Sequence, residues 1–198
     1  TFAEPRSLER FVAAVRAAAA ETDVLVVALH KGLVHVPADL ADYERVVAHA
    51  AIDAGAHAVL AHHAHILGGV ELHRGRPIYH GLGNFVTVTN ALSAKDGDVP
   101  ERAAWARRRR RLFGFDPDPA MPDYPFHPES RHTMIAAIEV DDGGEVRAFV
   151  LPCWIDADAR PVPHGRDADG ERVADYLRTI TGDAGLDTDY TWDGDRLA

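Results

Sequence analysis

Three imidazoles, His30, His63 and His65, stand where a chain can grip metal ions. An unprotonated ring nitrogen is a good ligand for zinc, manganese or iron. His30 closes the apolar run 24–29, and His62-His63-Ala64-His65 closes a second, 58–61. A His-Xaa-His pair leaving a strand can serve two neighbouring ions. The plainer alternative is that these are polar loop residues in a chain with 12 histidines. Cys153 is the single cysteine, which removes both a disulfide framework and a cysteine-based zinc site within the chain. A metal here must be held by histidine, carboxylate or amide.

The elements that must position these residues follow from periodicity. Apolar positions at helical spacing predict an amphipathic helix over 7–21, capped by Ser7. The continuous apolar run 24–29 predicts a parallel strand covered on both faces. Pro37 and Gly55 punctuate a helix over 39–54, and 58–61 forms the next strand. Strand, helix and strand make a βαβ unit with parallel strands, which brings both histidine groups to one sheet edge. Open α/β sheets bind ligands outside the carboxyl ends of their strands. Residues 70–73 and 77–79 flank a hairpin-like turn, followed by the glycine-rich His80-Gly81-Leu82-Gly83-Asn84. Residues 87–131 read as an irregular insertion or lid, with a short helix over 101–112 and prolines at 117, 119, 122, 125 and 128. Two strands, 133–140 and 145–151, joined by Asp141-Asp142-Gly143-Gly144, a helix over 169–181 and a polar tail with Trp192 complete the chain.

A length of 198 residues with 46% hydrophobic residues predicts a single domain over 1–198. A formal net charge of -10 argues against nucleic acid as a partner. The basic run 107–111 reads as a charged helix face, or as a grip on an acidic or phosphorylated group. No run of about 18 apolar residues and no signal peptide is present, so the expectation is a soluble, cytoplasmic protein without a membrane segment. The sequence opens on Thr1-Phe2-Ala3-Glu4-Pro5 without an initiator Met, as an entry from earlier structure would, so an upstream targeting segment remains compatible with it.

Four motifs in order, Val27-Ala28-Leu29-His30-Lys31-Gly32, Ile52-Asp53-Ala54-Gly55-Ala56, His62-His63-Ala64-His65 and Pro77-Ile78-Tyr79-His80-Gly81-Leu82-Gly83-Asn84-Phe85, resemble the CapA (poly-gamma-glutamate capsule biosynthesis) family. That family is a branch of the calcineurin-like metallophosphoesterases, and the resemblance spans about residues 24–86. It implies an α/β fold in which this chain forms the C-terminal half of a four-layer α/β/β/α metallophosphoesterase-like sandwich. It also implies two divalent metal ions (Mn, Zn or Fe), His30 and His63 binding one and His65 the other. The family's Asp-Xaa-His, Gly-Asp and Asn-His ligand motifs lie N-terminal to these histidines, and none of them precedes His30 in this sequence. A missing N-terminal segment or a partner chain is therefore expected to complete the metal site.

Departures from the family pattern add candidates. Lys31, Val34 and His35 stand where many relatives read His-Trp-Gly and then Glu-Tyr, and His80 stands where they often carry serine. His35 and His80 are candidate general acids or bases at the metal edge near neutral pH, or alternatively supporting loop histidines. Asn84 either orients a ligand or substrate or serves a turn. Lys31 binds an anion or is solvated, Cys153 is a buried small residue, and Glu71 and Asp53 are isolated acids without assigned chemistry. The resemblance implies a metal-dependent hydrolase acting on a phosphoester or a peptide-like, gamma-glutamyl small-molecule or peptide substrate. Its alternatives are a metal-dependent peptide epimerase using histidine acid/base chemistry and a non-catalytic capsule-assembly or binding module.

Overall fold

The computed structural model describes residues 2–89 and 99–198. Its first half is built around β1 (Val26–Lys31), β2 (Ala58–His63), β3 (Val70–His73) and β4 (Arg76–Tyr79), which form a sheet in the order β1-β2-β4-β3. The pairs β1–β2 and β2–β4 are parallel and β3–β4 is antiparallel. Helices α1 (Pro5–Ala19) and α2 (Asp42–Asp53) bury Val15, Ala48, Ala51 and Ile52 against Val59 and Ile78 of this sheet.

The second half contains α3 (Pro100–Phe113), a 3-10 turn at Pro128–Arg131, β5 (His132–Val140), β6 (Val146–Ile155), β7 (Pro161–Pro163), α4 (Ala168–Asp183), β8 (Trp192–Asp193) and β9 (Arg196–Leu197). Strands β5, β6, β9 and β8 lie in that order in an antiparallel sheet, with β7 paired to β6. Val173, Leu177 and Ile180 of α4 share a core with Met134 and Val150. Tyr79 ties the two sheets together: wholly buried, its hydroxyl lies 3.0 Å from the Ala137 carbonyl and 2.9 Å from that of Phe149. The chain thus has the mixed α/β architecture that the sequence predicts.

Several local expectations are corrected. Glu4, not Ser7, caps α1, because Pro5 opens the helix and the Glu4 carboxylate accepts hydrogen bonds from the amides of Arg6 and Ser7 at 3.1 and 2.7 Å. Strand β1 runs through His30 to Lys31 rather than stopping before them. It is not covered on both faces. Val27 and Leu29 pack on the helical cluster, whereas Val26, Ala28 and His30 are exposed. Strand β6 continues through Pro152 to Ile155, and the tail folds back as the β8–β9 hairpin, pairing Leu197 with Val150. Of the expected excursion over 87–131, residues 90–98 lie outside the described residues, and the predicted helix within it is α3.

Candidate functional site at the histidine edge

Parallel pairing sets the histidines side by side. His30 is in register with His62 and Lys31 with His63, so both strand ends deliver imidazoles to one edge. The His30 and His63 ring centroids are 4.4 Å apart, those of His63 and His65 6.5 Å, and those of His35 and His65 5.7 Å. The loops are joined by the His35 amide, which donates to the Ala64 carbonyl at 2.8 Å. Three of these histidines hold left-handed backbone: φ is 60° at His35, 115° at His63 and 57° at His65. Such angles are uncommon for residues with a side chain and persist only where surrounding structure enforces them, often at functional sites.

The orientation of His65 is fixed from behind. Tyr124 donates its hydroxyl proton to the Ser130 carbonyl at 2.7 Å and accepts from Asn84 Nδ2 at 2.9 Å. That leaves Asn84 Oδ1 facing His65 Nδ1 at 2.8 Å. An amide oxygen can only accept, so His65 carries its proton on Nδ1 and presents the Nε2 lone pair. An imidazole held in this way is prepared to ligate a metal. Asn84 is 3% exposed and acts on His65, so it positions a side chain rather than meeting substrate. Gly83 makes the loop possible: its φ is 77°, and a Cβ there would sit 3.0 Å from Thr133 Oγ1.

A cleft of about 580 Å³ opens over this edge, lined by His35, His63 and His65 together with Arg109, Leu112 and Phe113 of α3, and Phe126. Helix α3 and Phe126 therefore lie over the histidines. Another cleft, of about 360 Å³, lies away from them, bordered by Val70, Leu72, Phe149 and Leu197. Burial depresses the His63 pKa, aided by neighbouring His30, His65 and His62. His35 is pushed down to about 4, by burial first and then by His65, His127 and Arg109. It is consequently neutral near pH 7. Its Nδ1 is buried without a hydrogen-bond partner, and its ring packs against Phe113 and Phe115 at 4.9 Å each.

His80 is placed elsewhere. It is 2% exposed, with Nε2 donating to Glu71 Oε2 at 2.9 Å and Nδ1 3.3 Å from Lys31 Nζ. Burial lowers its pKa and Glu71 opposes that. With both nitrogens engaged inside the protein, His80 has no open face for a substrate, so the expectation of an acid or base at the metal edge gives way to a buried structural role. Lys31 is neither solvated nor an anion receptor: it is buried and paired with Glu44 at 2.6 Å. Burial lowers its pKa while Glu44 holds it up. The other Glu44 oxygen accepts from the Ala41 amide at 2.8 Å, fastening the start of α2 to the end of β1. Glu71 is not isolated either, since Arg45 and His49 also reach it, at 2.7 and 2.8 Å. Asp53 meets His73 and Arg74 at 2.9 and 2.8 Å.

Comparison with known proteins finds similarity in the first half of the chain. Residues 2–89 match the family model described as bacterial capsule synthesis protein PGA_cap. Over those residues the chain is similar to the bacterial capsule-synthesis (CapA) family. It is 37% identical over 82 residues to the PGA biosynthesis protein CapA of Bacillus subtilis (strain 168), covering 41% of this chain and 21% of that protein. Two Sinorhizobium fredii (strain NBRC 101917 / NGR234) proteins, uncharacterized proteins y4sH and y4uA, are each 49% identical over 45 residues, which is 23% of this chain and 10% of theirs. The matched region thus spans about a fifth or less of these relatives. The residues that match the family model contain β1, α2, β2 and the Asn84 loop, and with them the histidine edge.

Among the described residues, no group of three or more histidine, cysteine, aspartate or glutamate side chains is disposed to hold one ion. The histidines stand in adjacent positions, and a complete coordination shell needs further ligands. No helix among the described residues is long and apolar enough to cross a membrane.

Proposed function

We propose that this CapA-like chain contributes His30, His63 and His65 to a two-metal hydrolytic centre, His30 and His63 serving one divalent ion and His65 the other. The observation that carries this reading is the Tyr124–Asn84–His65 relay, which frees one imidazole nitrogen at an edge already crowded with histidines. Divalent ions bound there would polarise a substrate oxygen and activate water for attack. The remaining ligands come from a further segment or a partner chain.

The chain's own residues shape the rest. Strained loops hold His63 and His65 in place, and α3 with Phe126 roofs the cleft and limits water access. This makes the segment from α3 to Phe126 a lid over the site. His35, neutral and enclosed by rings, supplies a wall against which substrate rests. The substrate is a phosphoester or a gamma-glutamyl peptide.

The test is hydrolysis of both substrate classes by the protein that carries this chain, with manganese or zinc supplied. Turnover that a chelator abolishes and His63→Ala reduces supports the reading. Chelator-insensitive turnover, or deuterium exchange at a substrate alpha carbon without hydrolysis, overturns it.

A further inference from the structure

We propose that Arg109 is an oxyanion receptor in the roof of the histidine cleft, taking a carboxylate or phosphoryl group of the substrate. The proposal rests on the cleft being a reaction site only for its meaning, since anion binding is measured without metal or turnover.

Arg109 borders the cleft together with His35, His63 and His65. Its guanidinium carbon lies 5.1 Å from the Trp105 ring centroid and 4.8 Å from that of Phe113, so two aromatic side chains hold the head group in place. Its Nε is buried and has no hydrogen-bond partner. This is a cation held at a cleft wall with its Nε donor unspent. The same lining contains the buried His35, whose Nδ1 is also unpartnered, so two residues with an unsatisfied polar atom border one space.

Charge sharpens the point. A chain of formal net charge -10 repels anions on average, so admitting one requires a local positive group. A guanidinium offers a planar fork that matches carboxylate or phosphate. Leu112, Phe113, Val34 and Phe126 supply apolar walls beside it, which suits an oxyanion attached to a hydrocarbon stem. The cleft volume of about 580 Å³ accommodates such a molecule.

Calorimetric titration of the 198-residue chain with inorganic phosphate and with glutarate, metal-free and near neutral pH, tests this. At least one probe should bind, and Arg109→Gln should weaken it roughly tenfold or more. Arg109→Lys, which keeps the charge but loses the fork, should fall between. Tighter glutarate binding assigns a carboxylate, and tighter phosphate binding a phosphoryl group. Equal affinity in wild type and both variants, or no binding of either probe, overturns the proposal. Circular dichroism checks folding, and if the glutamine variant is unfolded the lysine variant decides: undiminished binding in it overturns the proposal. Parallel zinc titration separates the two readings. An Arg109-dependent anion site in a chain that binds no zinc keeps this inference and weakens the metal centre; the reverse pattern does the opposite.

Discussion

His65 Nδ1 donates to Asn84 Oδ1 at 2.8 Å, and that one bond determines which ring nitrogen faces the cleft. Asn84→Ala should release the ring to rotate and change tautomer. Metal affinity should fall about 10- to 100-fold, with secondary structure retained. Zinc titration checks this, and unchanged affinity would separate the relay from the site.

The Lys31–Glu44 pair is buried at the end of β1, with side chains 4% and 1% exposed. Lys31→Met leaves Glu44 charged and alone, and should cost about 3–5 kcal/mol in denaturant unfolding. Adding Glu44→Leu should restore much of that loss, because the uncompensated charge is gone. A double variant as unstable as the single one would show that Glu44's hydrogen bond to Ala41 matters more than the charge pair.

Acid should act in two stages. His35 and His80 have folded pKa values below the ordinary 6.5, so the unfolded chain takes up protons first and stability falls as pH drops below that value. Burial would raise the Glu71 pKa, but hydrogen bonds from His80, Arg45 and His49 prevail and hold it well below its ordinary 4.5. Its contribution is complete above 4.5 and is lost as pH falls through the lowered folded value. Glu71→Gln should therefore be less stable near neutrality and show a shallower decline below 4.5 in thermal melts across pH.

Gly83 combines a φ of 77° with a close approach to Thr133. Gly83→Ala should destabilise the fold by about 1–3 kcal/mol and disturb the adjoining Asn84. A drop in melting temperature together with weaker zinc binding is expected.

The βαβ unit was legible because its apolar runs are continuous and Pro37 and Gly55 bracket its helix; register then put His30 and His63 on one edge. The fates of His80 and Lys31 were not legible. Their partners lie 9 and 49 positions apart for His80, and 13 for Lys31 with Glu44, so no local pattern joins them. Open and covered faces of β1 have the same apolar composition, and only packing tells Val26 from Val27. Arg109 was visible merely as part of a basic run, because its stacking on Trp105 and Phe113 depends on which helix face meets the cleft.

The central claim, that the paired strand ends present metal ligands, is tested most directly by zinc titration of this chain beside its His63→Ala variant. The wild-type chain should bind zinc with an affinity limited by its partial ligand set, and removing His63, whose ring lies 4.4 Å from that of His30, should weaken binding at least about tenfold. Zinc affinity that is the same in both proteins would contradict the account.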